Sequence, residues 1–177
     1  MLAADIPRRL RSGPEGVNRL SEWLAECGVA LVVEPGFSGG KLDGIAVVGA
    51  NGQRIIGLSI RLDRFDSLIF TLLHEIAHIL NGDIDSPDEI CIDEALGESA
   101  ETSQRENAAN AVAATCLFPN GLDIPSKPTA QWVSVAAHDA GVHPSLVIGQ
   151  VQRRRKKWTF LKESIPKVRD RFEEQWT

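Results

Sequence analysis

The chain has 177 residues, enough for one domain whose core needs no disulfide or metal staple, and its ordinary hydrophobic and charged fractions exclude disorder as the default. A formal charge of -5 excludes non-specific nucleic-acid binding as the main task. Three widely spaced cysteines with no CxxC pair imply no disulfide framework and suit a reducing compartment, so a soluble, cytoplasmic protein is expected.

The opening MLAADIPRRLRSGPEG lacks the apolar run of a signal peptide, and residues 1–13 read as a loose arm or short helix ahead of a single domain over 14–177. Pro14 to Cys27 reads as a helix with Val17, Leu20, Trp23 and Leu24 on one face and Gly28 at its stop. Val29 to Val33 is a short apolar strand, and 37–41 a glycine-rich loop. Two further strands, 45–48 and 54–60, flank Asn51-Gly52, a strong hairpin signal. The next helix can be capped by Asp66 or Ser67, carries Leu68, Leu72, Ile76, Ile79 and Leu80 on its apolar side, and closes at Asn81-Gly82. This stretch is too short to span a bilayer, and three polar side chains interrupt it. Residues 83–100 are acidic and turn-rich, an exposed connection. An alanine-rich helix follows over 101–118, then an amphipathic helix over 129–140 and another opened by Pro144. Trp158, Phe160, Leu161 and Trp176 are available to dock the charged C-terminal part.

The three interruptions are the chemistry. His74-Glu75-Ile76-Ala77-His78 is an H-E-x-x-H motif on a predicted helix, so both imidazoles share a face and can reach one ion. Glu75, rotated slightly aside, can meet a water on that ion as a general base. Burying unpaired imidazoles and a carboxylate in an apolar helix would be costly, which favours metal over a solvated surface. A metzincin is excluded, because Asn81 and Ile84 stand where that class needs glycine and histidine. The third ligand is then an acid from a separate helix: Glu94, Glu98, Glu101 or Glu106. Glu106 is preferred, because Ala109 and Ala113 on its helix would allow close approach to the first helix. Asn110, one turn on, could orient a ligand imidazole. Cys91 among its acids is a rival ligand source; Cys116 reads as a small buried hydrophobe.

FTLLHEIAHIL (70–80) with ENAANAVAATCLFP (106–119) resembles the ImmA/IrrE family of metallopeptidases, and the likeness extends to LDGIAVV, IIGLSIRLDRFDSLIF and HPSLVIGQVQ. It covers about residues 15 to 160 and looks closest to C-terminal domains of Xre-type helix-turn-helix regulators. The resemblance implies an α+β, zincin-like fold, with a small antiparallel or mixed sheet of about three strands packed on the helices that carry the motif. It implies Zn(2+) on His74, His78 and Glu106, Glu75 as catalytic base, and a protein substrate such as a transcriptional repressor. A catalytically weak regulatory or sensor module, in a transcriptional or toxin–antitoxin setting, is the alternative. The chain departs from the pattern in having no recognisable helix-turn-helix and no tyrosine. A histidine would therefore serve as oxyanion donor, His143 ahead of His138. The basic run Arg153 to Lys157 reads as a solvated helix end rather than a nucleic-acid surface. No membrane association is expected.

Overall fold

The computed structural model describes residues 3–36, 41–84, 90–92 and 100–173. Helix α1 (Asp5–Arg9) is followed by a 3-10 turn (Pro14–Arg19), α2 (Leu20–Ala25), and strands β1 (Val29–Glu34), β2 (Gly44–Val48) and β3 (Arg54–Ser59). Then come α3 (Phe65–Asn81), the short β4 (Ile90–Ile92), α4 (Ala100–Leu117), α5 (Ala130–Ala140) and α6 (Pro144–Arg155), with two 3-10 turns after α6.

The sheet is mixed, in the order β1-β3-β2-β4. β2 and β3 form the hairpin expected around Asn51-Gly52, with Val48 opposite Arg54. Gly52 takes a φ of 80°, and the Asn51 side chain accepts the Gln53 N–H at 3.1 Å, so each residue of the pair supplies what a tight reversal needs. β1 pairs parallel to β3, and β4 adds antiparallel to β2. The expected three strands thus gain a three-residue fourth. Residues 56–59 of β3 are all buried, as befits a central strand covered on its faces.

The sheet packs on α3, which α4 and α6 flank. Phe65, Leu68, Ile69, Leu72 and Leu73 of α3 enter one core with Ile56 and Leu58 of β3 and Leu146, Val147 and Ile148 of α6. Each such side chain, fully buried, contributes about 1.5–3 kcal/mol. Ala109 and Ala113 are fully buried, as expected of a helix held close to α3.

Several local expectations need correction. Of the loose arm or short helix expected over 1–13, the short helix forms at 5–9, but it is docked, with Ile6 and Leu10 in the core. The single helix expected over 14–27 is a 3-10 turn followed by a short α-helix, although its apolar face (Val17, Leu20, Trp23 and Leu24) is buried as read. α3 starts one residue before the expected caps: Arg64 is its N-cap, and Asp66 instead pairs with the Arg64 guanidinium at 2.8 and 3.1 Å. Gln152, fully buried on α6, accepts from Arg64 at 2.8 Å and donates to the Phe160 carbonyl at 2.6 Å, joining α3, α6 and the C-terminal segment. Trp158 does not dock and is 57% exposed; Val168 and Phe172 are the buried anchors of that segment. Cys91, Glu94, Glu98, Glu101 and Trp176 have side chains outside the described residues. No helix among the described residues is long and apolar enough to cross a membrane.

Candidate metal centre

The H-E-x-x-H residues lie in the second half of α3, where one turn of helix stacks His78 over His74. Their rings meet edge to face with centroids 4.7 Å apart, and the two Nε2 atoms are 3.0 Å from each other. From α4, Glu106 reaches across so that Oε2 is 3.0 Å from His74 Nε2 and Oε1 is 3.3 Å from His78 Nε2. His74 and His78 are buried, and the Glu106 side chain is only 18% exposed. The three groups are close enough to hold one metal ion.

The donor set favours that reading. His78 Nδ1 lies 2.8 Å from Asp83 Oδ2; a carboxylate accepts, so Nδ1 carries the proton and Nε2 presents a lone pair in the neutral ring. That lone pair faces His74 Nε2 and a carboxylate oxygen, three ligand-type atoms that one cation would satisfy together. Ligand atoms about 2 Å from a common zinc stand roughly 3 Å apart, close to the separations found. Where the cluster holds protons in place of a metal, Nε2–H groups of His74 and then His78 hold the Glu106 carboxyl down to about 2, against burial, which pushes it up. Glu106 is therefore an anion at neutral pH, as a ligand must be.

Asp83 escaped the sequence reading. Gly82 closes α3 in the left-handed region at φ 72°, and the Asp83 N–H returns to the His78 carbonyl at 3.0 Å. The turn that ends the helix thus folds Asp83 back beside the ring it orients. The signal available was an acid directly after the closing Asn81-Gly82.

Glu75, 1% exposed, stays outside the cluster of three and turns toward the sheet. Gly44, the first residue of β2, lies so near that a Cβ there would overlap Glu75 Oε1 and Thr71 Cγ2. The backbone of β2 therefore runs directly past this carboxylate. Phe70, one turn before His74, stacks on its ring with centroids 6.5 Å apart; His74 Nδ1 is buried and makes no hydrogen bond among the described residues.

Two expected participants are elsewhere. Asn110 makes no hydrogen bond to either imidazole; the partner it was to supply is Asp83. His143 is the N-cap of α6, where its Nδ1 accepts the Ser145 N–H at 3.2 Å and its ring packs edge-on against Phe65. Phe65 precedes His74 by nine residues of helix, roughly 13 Å at 1.5 Å per residue, so His143 is not at the centre. Burial pulls its imidazole below the ordinary histidine value, against the Glu15 charge. A structural cap explains the position that looked functional. His138, on α5, has a side chain 91% exposed beside Asp139. Comparison with protein-family models and with curated proteins found no match to this chain.

Proposed function

We propose that the chain is a zinc-dependent endopeptidase with a zincin-like fold, in which His74, His78 and Glu106 hold the metal and Glu75 is the general base. The observation that carries this is the convergence of two imidazoles and one carboxylate from two helices, with a second buried carboxylate beside them but outside the set. The ImmA/IrrE resemblance of residues 70–80 and 106–119 supports the same reading and suggests a repressor or other regulator as substrate.

When bound, zinc would polarise a scissile carbonyl and lower the pKa of water from 15.7 to about 7. The residues divide the remaining work. Asp83 fixes the His78 tautomer so that Nε2 faces inward. Glu106, already ionised, balances the charge of the cation. Glu75 takes the proton from the attacking water and returns it to the departing amine; its burial favours transfer over loss to solvent. The test is metal analysis and cleavage of candidate repressors, with and without a chelator. His78→Ala should lose the metal, whereas Glu75→Gln should keep it and abolish cleavage. Persistent cleavage by the Glu75→Gln protein would refute the mechanism.

One observation favours a second reading, a regulatory module with weak hydrolysis. The chain has four histidines and no tyrosine, and the two histidines outside the metal cluster both lie away from it. Neither residue type then supplies an oxyanion donor, which elsewhere accounts for about 10²–10³ in rate. Metal-loaded protein that leaves every candidate repressor intact would favour this alternative.

A further inference from the structure

A second site adjoins the metal centre along α3. It is a cleft of about 470 Å³ between the first half of α3, the end of α4 and one side of α6. Leu117 and Leu146 are buried at its floor, and Leu62 and Trp158, 44% and 57% exposed, stand at its mouth. Large exposed apolar side chains around a concavity are a feature of recognition sites. Apolar walls alone do not name a ligand; an unmatched polar group among them does.

That group is Gln150. It lines the cleft, is only 4% exposed, and its side-chain amide has no hydrogen-bond partner among the described residues. Gln152 on the same helix shows the contrast: fully buried, it accepts from Arg64 and donates to the Phe160 carbonyl. A buried amide with neither end matched is costly, so it marks a place where another molecule can supply the partners. Its chemistry defines them. Oε1 accepts and Nε2 donates from one planar group, so an ion of either sign would leave one end unmatched, whereas another amide meets both. Four of the charged side chains on the walls already pair with each other, Arg61 with Asp43 at 2.7 Å and Arg64 with Asp66 at 2.8 Å, and ask for no counter-charge from a ligand. Arg153 covers the Phe70 ring, its guanidinium carbon 3.7 Å from the centroid.

The cleft and the metal cluster share one face of α3. Ser67, Phe70 and His74 follow one another along it, and Phe70 both lines the cleft and stacks on His74. Four residues of helix, roughly 6 Å, separate Phe70 from His74, a distance that an extended chain covers in about two residues. We propose that this cleft is a subsite for a neutral segment of extended peptide. Gln150 holds one backbone amide, and a large apolar side chain beside that amide sits between Leu62 and Trp158. As a specificity site it rests on the peptidase reading; as a binding site it stands without it. A small aromatic molecule without an amide would fill the apolar space and leave Gln150 unsatisfied, so the peptide is favoured.

The test uses the full-length, zinc-loaded chain carrying Glu75→Gln, so that probes are not consumed. Fluorescein-labelled Ala-Ala-Phe-Ala-Ala, amidated at its C-terminus, is titrated by anisotropy beside two analogues in which an ester replaces the amide before or after Phe. One ester should bind about fivefold more weakly than the all-amide peptide, and Gln150→Leu should abolish that difference. Asp or Lys in place of Phe should weaken binding about tenfold. Trp158→Ala, on an exposed position, should weaken the all-amide peptide, so the esters and this variant decide the matter without any change at the buried Gln150. No binding, equal binding of amide and both esters, or an ester penalty that persists in folded Gln150→Leu protein would overturn the proposal. So would indole that binds more tightly than the peptide and displaces it. The parent enzyme separates the two readings. Binding with the ester penalty but no hydrolysis of any peptide sinks the peptidase reading alone. Hydrolysis that is indifferent to Phe, Asp or Lys near the cleaved bond sinks the subsite alone.

Discussion

Asp83, five residues past the last histidine of the motif, shows how a residue outside a motif can orient one of its rings. Its carboxylate holds the Nδ1 side of His78, so its removal frees the ring to rotate and to change tautomer. Asp83→Ala should weaken metal affinity about 10–100-fold while leaving His74, His78 and Glu106 in place, measured by competition with a chromophoric chelator. Unchanged affinity would show that packing alone orients the ring. The grouping of His74 and His78 was legible because their spacing maps directly onto one turn of helix, and that of Glu106 because small residues follow it on a second helix. Asp83 was not, since its role depends on a left-handed turn at Gly82 that reverses the chain. His143 was misread for the opposite reason. A histidine before proline at a helix start has a sufficient structural use, accepting an orphan N–H, and nothing in the local sequence distinguishes that from catalysis.

Between elements, the closest approach that concerns function is β2 to α3 at Gly44. A methyl group there would overlap both Glu75 Oε1 and Thr71 Cγ2, so strand and helix must separate or the carboxylate must swing. Gly44→Ala should lower stability by about 1–3 kcal/mol in denaturant titration and depress turnover, with metal content retained because no ligand moves. A variant with full stability would mean that the strand has room to yield. The hairpin containing β2 was readable from Asn51-Gly52, whose turn chemistry is local. Strand order was not: β1 skips β2 to lie parallel with β3, a pairing decided by how the sheet covers α3 rather than by residues near either strand.

Across the whole molecule, α1 and the segment after α6 fasten to the same body. Asp63, held in the left-handed region at φ 49° just before α3, accepts the backbone N–H groups of Val168 and Arg169 at 3.0 and 2.8 Å and so anchors the C-terminal segment. Burial pushes its carboxyl up. The two backbone donors and the charges of Lys167 and Arg169 outweigh that and bring it below the usual 3.8. A folded value below the unfolded one means that the unfolded chain binds more protons. This contribution is therefore full above 3.8 and is lost as pH falls through the folded value. Chemical denaturation between pH 5 and 3 should accordingly show less acid loss in Asp63→Asn than in the parent, at about the same ionic strength. A parallel pH dependence in the two proteins would remove Asp63 from the acid response.

At the other end, the Arg8 guanidinium caps the last turn of α4, donating to the carbonyls of Cys116 and Leu117, the latter at 3.0 Å. The helix that delivers Glu106 is thus moored by a residue near the start of the chain, about a hundred positions away in sequence. Anything that lifts α1 from the end of α4 acts on a lever whose other arm carries an acid of the triad. Arg8, through α4, belongs to the mechanics of the site.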